Sequence, residues 1–246
     1  VESRDLVLLY DETQMIHWSE RDGWAHFYRY NADGSLRNRI TRGTFHSEAV
    51  SGVDEKSGLL YFTAHGVQPR LDPYYEHLYA VPLGGGAPKA LNGGDFTSST
   101  RSSDRHNYFV SNFSRVNTTP KSELRNASGQ LVLDLETADL SALFAAGYQF
   151  PEPFKVKADD GITDIYGVLY KPFDFDENKQ YPLLEYVYPG PQTEAVNKAF
   201  SVRMDRLDRM AQLGFVLATM GNRGGHPDRS KWYHNYGYGN LRDYGL

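Results

Sequence analysis

One tyrosine of this 246-residue sequence is placed where a side chain could do chemistry. Residues 181–191 read YPLLEYVYPGP, an apolar, β-prone run that ends in two prolines around a glycine. Such a run is typical of a strand covered on both faces. Pro189 favours an extended backbone at Tyr188, and neither Pro189 nor Pro191 has an N–H group to continue a strand ladder. We therefore predict a phenol on a stiff loop at the carboxyl end of a central strand, where open α/β sheets bind ligands.

Tyr188 also has a purely structural interpretation. The local pattern by itself favours a loop aromatic packed under the next helix, so the remaining sequence has to support any functional role. A phenolic hydroxyl is a hydrogen-bond donor, and a donor on a rigid loop is preorganised for a ligand. Tyr188 is therefore the one candidate site residue of the sequence.

The other polar clusters are predicted to be structural. His226 and His234 lack metal-binding spacing on a clear helix and no His-Glu-x-x-His motif occurs, so we expect no metal and no cofactor. Residues 84–86 form a Gly-Gly-Gly turn without the lysine of a phosphate loop. Acidic residues 159 and 160 fall in a turn. Arg223 could reach an active-site mouth or brace its own loop, and bracing is favoured.

Composition excludes several classes of protein. A hydrophobic content of 40% is ample for a packed core, and a net charge of −5 gives no reason to expect a nucleic-acid partner. No apolar run is long enough to span a bilayer. The absence of cysteine excludes disulfides, thiol nucleophiles and thiolate metal sites. No export signal is visible, which leaves the compartment open.

Residues 1 to about 137 read as antiparallel β-structure with an internal repeat. His26 and His77 are 51 residues apart, and so are Gly43 and Gly94. A repeat of about 40–50 residues with several short strands is typical of propeller blades. A weaker third unit follows at residues 107–135. Since a propeller closes with about 4–8 blades, we expect a part of a longer protein; the alternative is a β-sandwich with an accidental repeat.

The pattern changes after residue 138. Residues 139–146, DLSALFAA, predict a short helix with Asp139 as a possible N-cap and Gly147 as its stop. A hairpin around residues 159–161 follows. The strand ending near residue 187, a helix over 197–212 and a strand over 215–220 predict a βαβ unit in a parallel or mixed sheet. An aromatic, glycine-rich loop covers 232–238, and a further helix would begin at 240–243.

Five motifs in this order resemble one family of proteins. They are WSERDGWAHFY at 18–28, GVD at 52–54 with HLY at 77–79, YGVLYKP at 166–172, the stretch at 181–191, and NRGG at 222–225 with YGNL at 238–241. The sequence resembles, over essentially its whole length, the dipeptidyl peptidase IV branch of the prolyl oligopeptidase family of serine peptidases. Each motif is modest alone, and their shared order makes the resemblance specific.

The resemblance implies a fold and a division into domains. The expected fold is a β-propeller segment of antiparallel β-sheets, followed by the N-terminal part of an α/β-hydrolase domain. Residues 1–138 would be the C-terminal blades, 139–152 a linker helix with a proline-rich connector, and 153–246 the first part of the peptidase domain.

The resemblance also implies a function for the full-length protein. A serine would release N-terminal dipeptides of the X-Pro or X-Ala type through an acyl-enzyme, and Tyr188 would be the oxyanion-hole tyrosine. The partner would be a peptide substrate, no cofactor would be needed, and a homodimer is compatible with the family. A periplasmic or extracellular location is implied in the same way. Dipeptidyl, tripeptidyl and acylaminoacyl cleavage share this architecture, so the specificity stays open.

The sequence departs from the family at its active site. It contains no Gly-x-Ser-x-Gly motif, so the nucleophile and its acid and histidine partners would follow Leu246. The paired substrate-binding glutamates would precede Val1, and Pro189 replaces a small residue. We therefore expect the chain alone to be inactive. The alternative is a non-catalytic, propeller-bearing binding protein with a decayed hydrolase domain. A free-standing carbohydrate-binding module is a third class, against which the βαβ pattern argues.

Overall fold

The computed structural model describes residues 6–188, 194–201 and 206–240 of the chain. These residues form four sheets of four strands each, together with three short helices. The chain divides into two compact units. The first comprises Val1–Asn112, Ser122–Glu136 and Asp228–Trp232, and the second comprises Phe113–Lys121, Thr137–Pro227 and Tyr233–Leu246.

Three sheets follow one another along the first part of the chain, each in simple chain order. The first contains β1 (Val7–Leu9), β2 (Gln14–Ser19), β3 (His26–Asn31) and β4 (Leu36–Arg39). The second contains β5 (His46–Asp54), β6 (Leu59–His65), β7 (Glu76–Pro82) and β8 (Lys89–Ala90). The third contains β9 (Thr97–Ser102), β10 (Tyr108–Ser114), β11 (Lys121–Asn126) and β12 (Leu131–Thr137). Four-stranded antiparallel meanders of this kind fit a segment of a β-propeller.

The 51-residue repeat corresponds to a matching pair of hydrogen bonds. Nε2 of His26 donates to the Gly43 carbonyl at 3.1 Å, and Nε2 of His77 donates to the Gly94 carbonyl at 3.0 Å. Each imidazole also lies against the phenylalanine that follows its glycine, with ring centroids 5.0 Å and 5.5 Å apart. The two histidines and the two glycines are therefore separated by the same 51 residues, because each histidine binds the loop that leads into the next sheet.

Burial of His26 predicts an acid-sensitive contribution to stability. The side chain is completely buried, and this burial lowers its pKa to about 4, against the raising effect of the hydrogen bond to Gly43. Because an unfolded histidine takes up its proton near pH 6.5, stability is complete above that pH and decreases as the pH falls toward 4. We expect the free energy of unfolding of wild type, relative to His26→Gln, to decrease by about 2 kcal/mol between pH 7 and pH 5.

Denaturant unfolding at both pH values measures this difference. Comparison with the variant cancels the contributions of the other titrating groups. Between pH 7 and pH 8 the difference between the two proteins should change by only about 0.2 kcal/mol, because the folded imidazole is neutral there and the unfolded one is mostly neutral. A difference that is also unchanged between pH 7 and pH 5 would show that His26 is protonated as readily in the folded chain as in the unfolded one.

The second unit begins with the predicted helix. Helix α1 (Ser141–Ala145) is preceded by Asp139, whose Oδ1 accepts a hydrogen bond from the Ser141 N–H at 2.9 Å. Gly147 follows with a φ of +90°, a backbone conformation that favours glycine. The N-cap residue is Leu140, so Asp139 supports the first turn from one position earlier than an N-cap would.

The fourth sheet lies in the second unit and has mixed strand directions. It contains β13 (Glu152–Lys157), β14 (Asp164–Tyr170), β15 (Leu183–Tyr186) and β16 (Val216–Met220) in the order β13-β14-β16-β15. The pair β13–β14 is the predicted hairpin, β14–β16 is antiparallel, and β15–β16 is parallel. Helix α2 (Arg206–Ala211) lies between β15 and β16 in the sequence, so the predicted βαβ unit is confirmed.

One detail of the prediction was wrong in this unit, and another stays a prediction. Among the described residues β15 pairs only with β16, and its Leu183 is 64% exposed, so the central, buried position expected for this strand in the full-length sheet stays a prediction. Residues 197–201 are not helical. The Phe200 N–H donates to Ser114 Oγ at 3.0 Å and not to a carbonyl of a helix, and Thr219 Oγ1 donates to the Ala195 carbonyl just before this segment at 2.5 Å, so side chains from elsewhere bind its backbone.

The end of the chain differs from the predicted loop in one respect. Residues 231–234 form a short helix, α3 (Lys231–His234), before the turns that follow. The helix predicted to begin at 240–243 lies almost wholly outside the described residues. None of the helices in the described ranges is long and apolar enough to cross a bilayer.

Candidate functional site

Tyr188 lies at the carboxyl edge of the parallel strand pair. Tyr186 of β15 is paired with Thr219 of β16, so the residues that follow both strands leave the sheet at the same edge. The Tyr188 side chain is 52% exposed, and its hydroxyl forms no hydrogen bond with any residue that the structure describes. The arrangement offers a hydrogen-bond donor to a ligand. Pro189 and Pro191, which would stiffen its loop, lie outside the described residues.

The loop after β16 is braced by Arg223. Its guanidinium carbon lies 3.8 Å from the centre of the Tyr236 ring, and its Nη1 donates to the Tyr236 hydroxyl at 3.0 Å. Its Nη2 lies 3.1 Å from Oδ2 of Asp160. The guanidinium therefore connects three loops of the second unit, and the bracing interpretation of Arg223 is confirmed.

Asp160 has a structural role, as predicted. Its carboxylate accepts hydrogen bonds from the Thr163 hydroxyl and from the backbone N–H groups of Ile162 and Thr163. These hydrogen bonds, the Thr163 hydroxyl first, together with the charge of Arg223, lower the pKa of Asp160 to about 2. A carboxylate held ionised by its own turn is not a general acid.

Residues 194–197 lie over the end of β16. The carboxylate of Glu194 lies where a Cβ atom on Gly221 would be, so Gly221 leaves the room that this side chain occupies. Asn197 Nδ2 donates to the Tyr170 hydroxyl at 3.3 Å. These contacts fix residues 194–197 against the sheet, beside the edge at which Tyr188 is exposed.

A second cluster, in the first unit, was missed by sequence reasoning. We call it the His–carboxylate cluster; it comprises His46, Glu48, His65, Glu76 and Asp228. His46 is paired with His65 across β5 and β6, and His65 is paired with Glu76 across β6 and β7. Three of the side chains therefore share one row on one face of the second sheet.

The contacts within the His–carboxylate cluster are short. His46 Nε2 lies 3.0 Å from Glu48 Oε2, while His65 Nε2 lies 3.5 Å from both Glu76 Oε2 and Asp228 Oδ2. Burial disfavours the charged form of His65, but the carboxylates of Glu76, Asp228 and Glu48 outweigh burial and raise its pKa to about 9. The His46-x-Glu48 spacing places two polar side chains on one strand face and was the only signal in the sequence.

Comparison with known proteins identifies relatives of this chain. The family model for the "Dipeptidyl peptidase IV (DPP IV) N-terminal region" matches residues 1–120. Dipeptidyl peptidase 8 of Homo sapiens is 33% identical over 181 residues, which cover 70% of this chain and 20% of the human protein. Dipeptidyl peptidase 4 of Arthroderma otae is 26% identical over 225 residues, which cover 84% of this chain and 27% of the fungal protein.

Solved structures agree with these relatives. The crystal structure of a putative dipeptidyl aminopeptidase IV from Bacteroides ovatus aligns with 95% of this chain, and the aligned part is 35% of the Bacteroides chain. The TM-score is 0.77 and the sequence identity is 25%. The chain belongs to the dipeptidyl peptidase IV family. The dipeptidyl peptidase 4 structure from Porphyromonas gingivalis gives the same TM-score over 32% of its length. The family resemblance of the sequence is thereby confirmed.

The chain spans about a fifth to a third of the length of these dipeptidyl peptidase relatives. The match to the N-terminal region of the family and the antiparallel sheets of the first unit agree with a propeller segment.

Proposed function

We propose that the protein carrying this chain is a serine-type dipeptidyl peptidase that releases X-Pro or X-Ala dipeptides from peptide N-termini through an acyl-enzyme. The relatives named as dipeptidyl peptidases support the general activity. The observation that carries the proposal is the exposed Tyr188 hydroxyl at the carboxyl edge of a parallel strand pair in a chain of this family. A peptide is the substrate, and the chemistry calls for no cofactor.

The second unit is, in this proposal, the beginning of an α/β-hydrolase domain. The mixed sheet and the β15-α2-β16 crossover support this assignment, since α/β folds are built from such units. The domain boundaries at 138 and 152 stay predictions, as do a homodimer and a periplasmic or extracellular location.

Tyr188 is proposed to donate a hydrogen bond to the oxyanion of the tetrahedral intermediate. More than half of its side chain is exposed, and no described residue competes for its hydroxyl. One such donor typically lowers the activation free energy by about 3–4 kcal/mol. The attacking serine, its histidine and its acid are expected from sequence beyond this chain, because no Gly-x-Ser-x-Gly motif occurs within it.

The proposal predicts opposite results for the chain and for the full-length protein. The full-length protein should hydrolyse an Ala-Pro or Gly-Pro chromogenic amide and react covalently with a fluorophosphonate, which labels activated serines. The purified 246-residue chain should do neither, because it has no nucleophile elbow. Turnover is followed by absorbance and labelling by gel fluorescence.

Three outcomes of this experiment separate the alternatives. Full-length protein that binds peptides but is neither labelled nor active would favour the non-catalytic binding protein. Labelled protein that prefers blocked peptides or releases tripeptides would retain the serine peptidase and change its specificity. Turnover by the 246-residue chain itself would contradict the proposed division of the active site.

A further inference from the structure

We propose that His46, Glu48 and Asp228 form a binding site for a divalent transition-metal ion, with Zn²⁺ as the best match. The site lies within the first unit and does not depend on the proposed peptidase activity. Each of the three residues offers one ligand atom, and these atoms all lie within 4.8 Å of one another. Residues 46 and 48 come from β5, whereas Asp228 comes from a segment 180 residues further along the chain.

The distances suit a small ion. Zinc bonds of about 2.0–2.1 Å to nitrogen and oxygen place the ligands of a tetrahedral site about 3.3 Å from one another. The separation of His46 Nε2 and Glu48 Oε2 is 3.0 Å, close to that value. The Asp228 carboxylate lies within 4.8 Å of both of these atoms. Water can complete the coordination, as it does in open zinc sites.

The charges of the cluster also favour a cation. The cluster contains three carboxylates and two imidazoles. His46 is completely buried, and the side chains of Asp228 and Glu48 are only 13% and 21% exposed. A divalent ion bound here would place positive charge beside carboxylates that water reaches only in part.

The surroundings resemble the outer shell of a metal site. His65 Nε2 lies 3.5 Å from both Asp228 Oδ2 and Glu76 Oε2, so an imidazole outside the three ligands contacts the Asp228 carboxylate. Partners of this kind fix the geometry of metal ligands. The second nitrogen of His46, Nδ1, is buried without a hydrogen-bond partner in the described part of the chain, so the outer shell of this ligand would have to be completed by water.

The donor set selects the class of metal. Imidazole with carboxylates suits zinc, iron, nickel or copper, and the absence of cysteine removes thiolate ligands. Calcium and magnesium prefer sites made entirely of oxygen atoms. We expect Zn²⁺ to bind and Ca²⁺ and Mg²⁺ to be excluded.

A bound ion would fasten residues 228–232 to the second sheet. This segment is already held by the Lys231 N–H, which donates to the Gly23 carbonyl at 2.9 Å. The indole of Trp232 lies 2.8 Å from the position that a Cβ atom would take on Gly23. The metal would therefore have a structural role and raise the melting temperature of the first unit.

Isothermal titration of the tag-free, metal-stripped chain with Zn²⁺ tests the site. We expect one saturable site in wild type, and an affinity at least about tenfold lower in both Asp228→Asn and Glu48→Gln. Asp33→Asn is the matched control: it removes the same charge from a β3–β4 turn, where Asp33 accepts a hydrogen bond from the Ser35 N–H. Its affinity should equal that of wild type.

Co²⁺ provides a second measurement that does not depend on the variants. Coordination by the cluster should give wild type the intense visible absorption of a tetrahedral or five-coordinate ion rather than that of the hydrated ion. No saturable binding by wild type, affinities unchanged in both variants, or equal binding of Ca²⁺ would each overturn the proposal. Circular dichroism identifies a variant that has lost its fold, and Zn²⁺ affinity is then judged from the other variant and from the Co²⁺ spectrum.

Discussion

The Tyr188→Phe variant of the full-length protein should lose about 10²–10³-fold in kcat for a dipeptidyl amide substrate, with little change in KM. The substitution removes one oxygen atom from a side chain that is 52% exposed, so it leaves packing almost untouched. A donor to the oxyanion acts mainly in the transition state, which is why the loss should appear in kcat and not in KM. Steady-state kinetics with an Ala-Pro anilide measure both constants.

The matched control for this experiment is Tyr108→Phe. Tyr108 lies on β10 in the propeller-like part of the chain and is 48% exposed, so the same oxygen atom is removed from a similarly exposed phenol. Its kinetic constants should equal those of wild type. If Tyr188→Phe retains kcat within about twofold, Tyr188 is not the oxyanion donor, and its structural interpretation as a packed loop aromatic gains support.

The Phe62→Ala substitution should have the largest effect on folding, lowering the free energy of unfolding by about 3–5 kcal/mol. Phe62 is completely buried on β6. Its ring lies 5.7 Å from that of Phe27 in the first sheet and 5.8 Å from that of Tyr79 in its own sheet, measured between centroids. Truncation would remove the aromatic contacts of both neighbours and leave a cavity at the core of the first unit.

Urea unfolding followed by tryptophan fluorescence measures this loss. All three tryptophans, at positions 18, 24 and 232, belong to the first unit, so the signal reports the part of the chain that contains Phe62. Phe62→Leu should cost about 1 kcal/mol because it refills most of the space. Leu133→Ala, at a position 55% exposed on β12, should change stability by less than about 0.5 kcal/mol. A Phe62→Ala loss as small as that of Leu133→Ala would contradict the assigned core.

Local chemistry made much of the fold predictable. The matching spacing of His26–Gly43 and His77–Gly94 reflects a contact that each blade makes with itself, so the contact appears in the sequence as a repeat. The hairpin at β13–β14 and the stop of α1 at Gly147 depend on turn residues and on a positive φ, which are also local. Elements of this kind are specified by neighbouring residues.

The first residues of the helix predicted over 197–212 are not helical for the opposite reason. Its apolar spacing was helical, but Thr219 and Ser114 supply hydrogen bonds to residues 194–201 from distant parts of the chain. Tertiary partners therefore decided the conformation of this segment.

The sequence by itself determined the family, the blade repeat, the βαβ unit and the placement of Tyr188 after a strand. Tertiary structure alone decided that Arg223 braces Asp160 and Tyr236, and that Asp228 joins His46, Glu48, His65 and Glu76. The physical reason is strand register. A row of side chains across β5, β6 and β7 exists only once the pairing of these strands is fixed, and a shift of one residue would move the row to the opposite face.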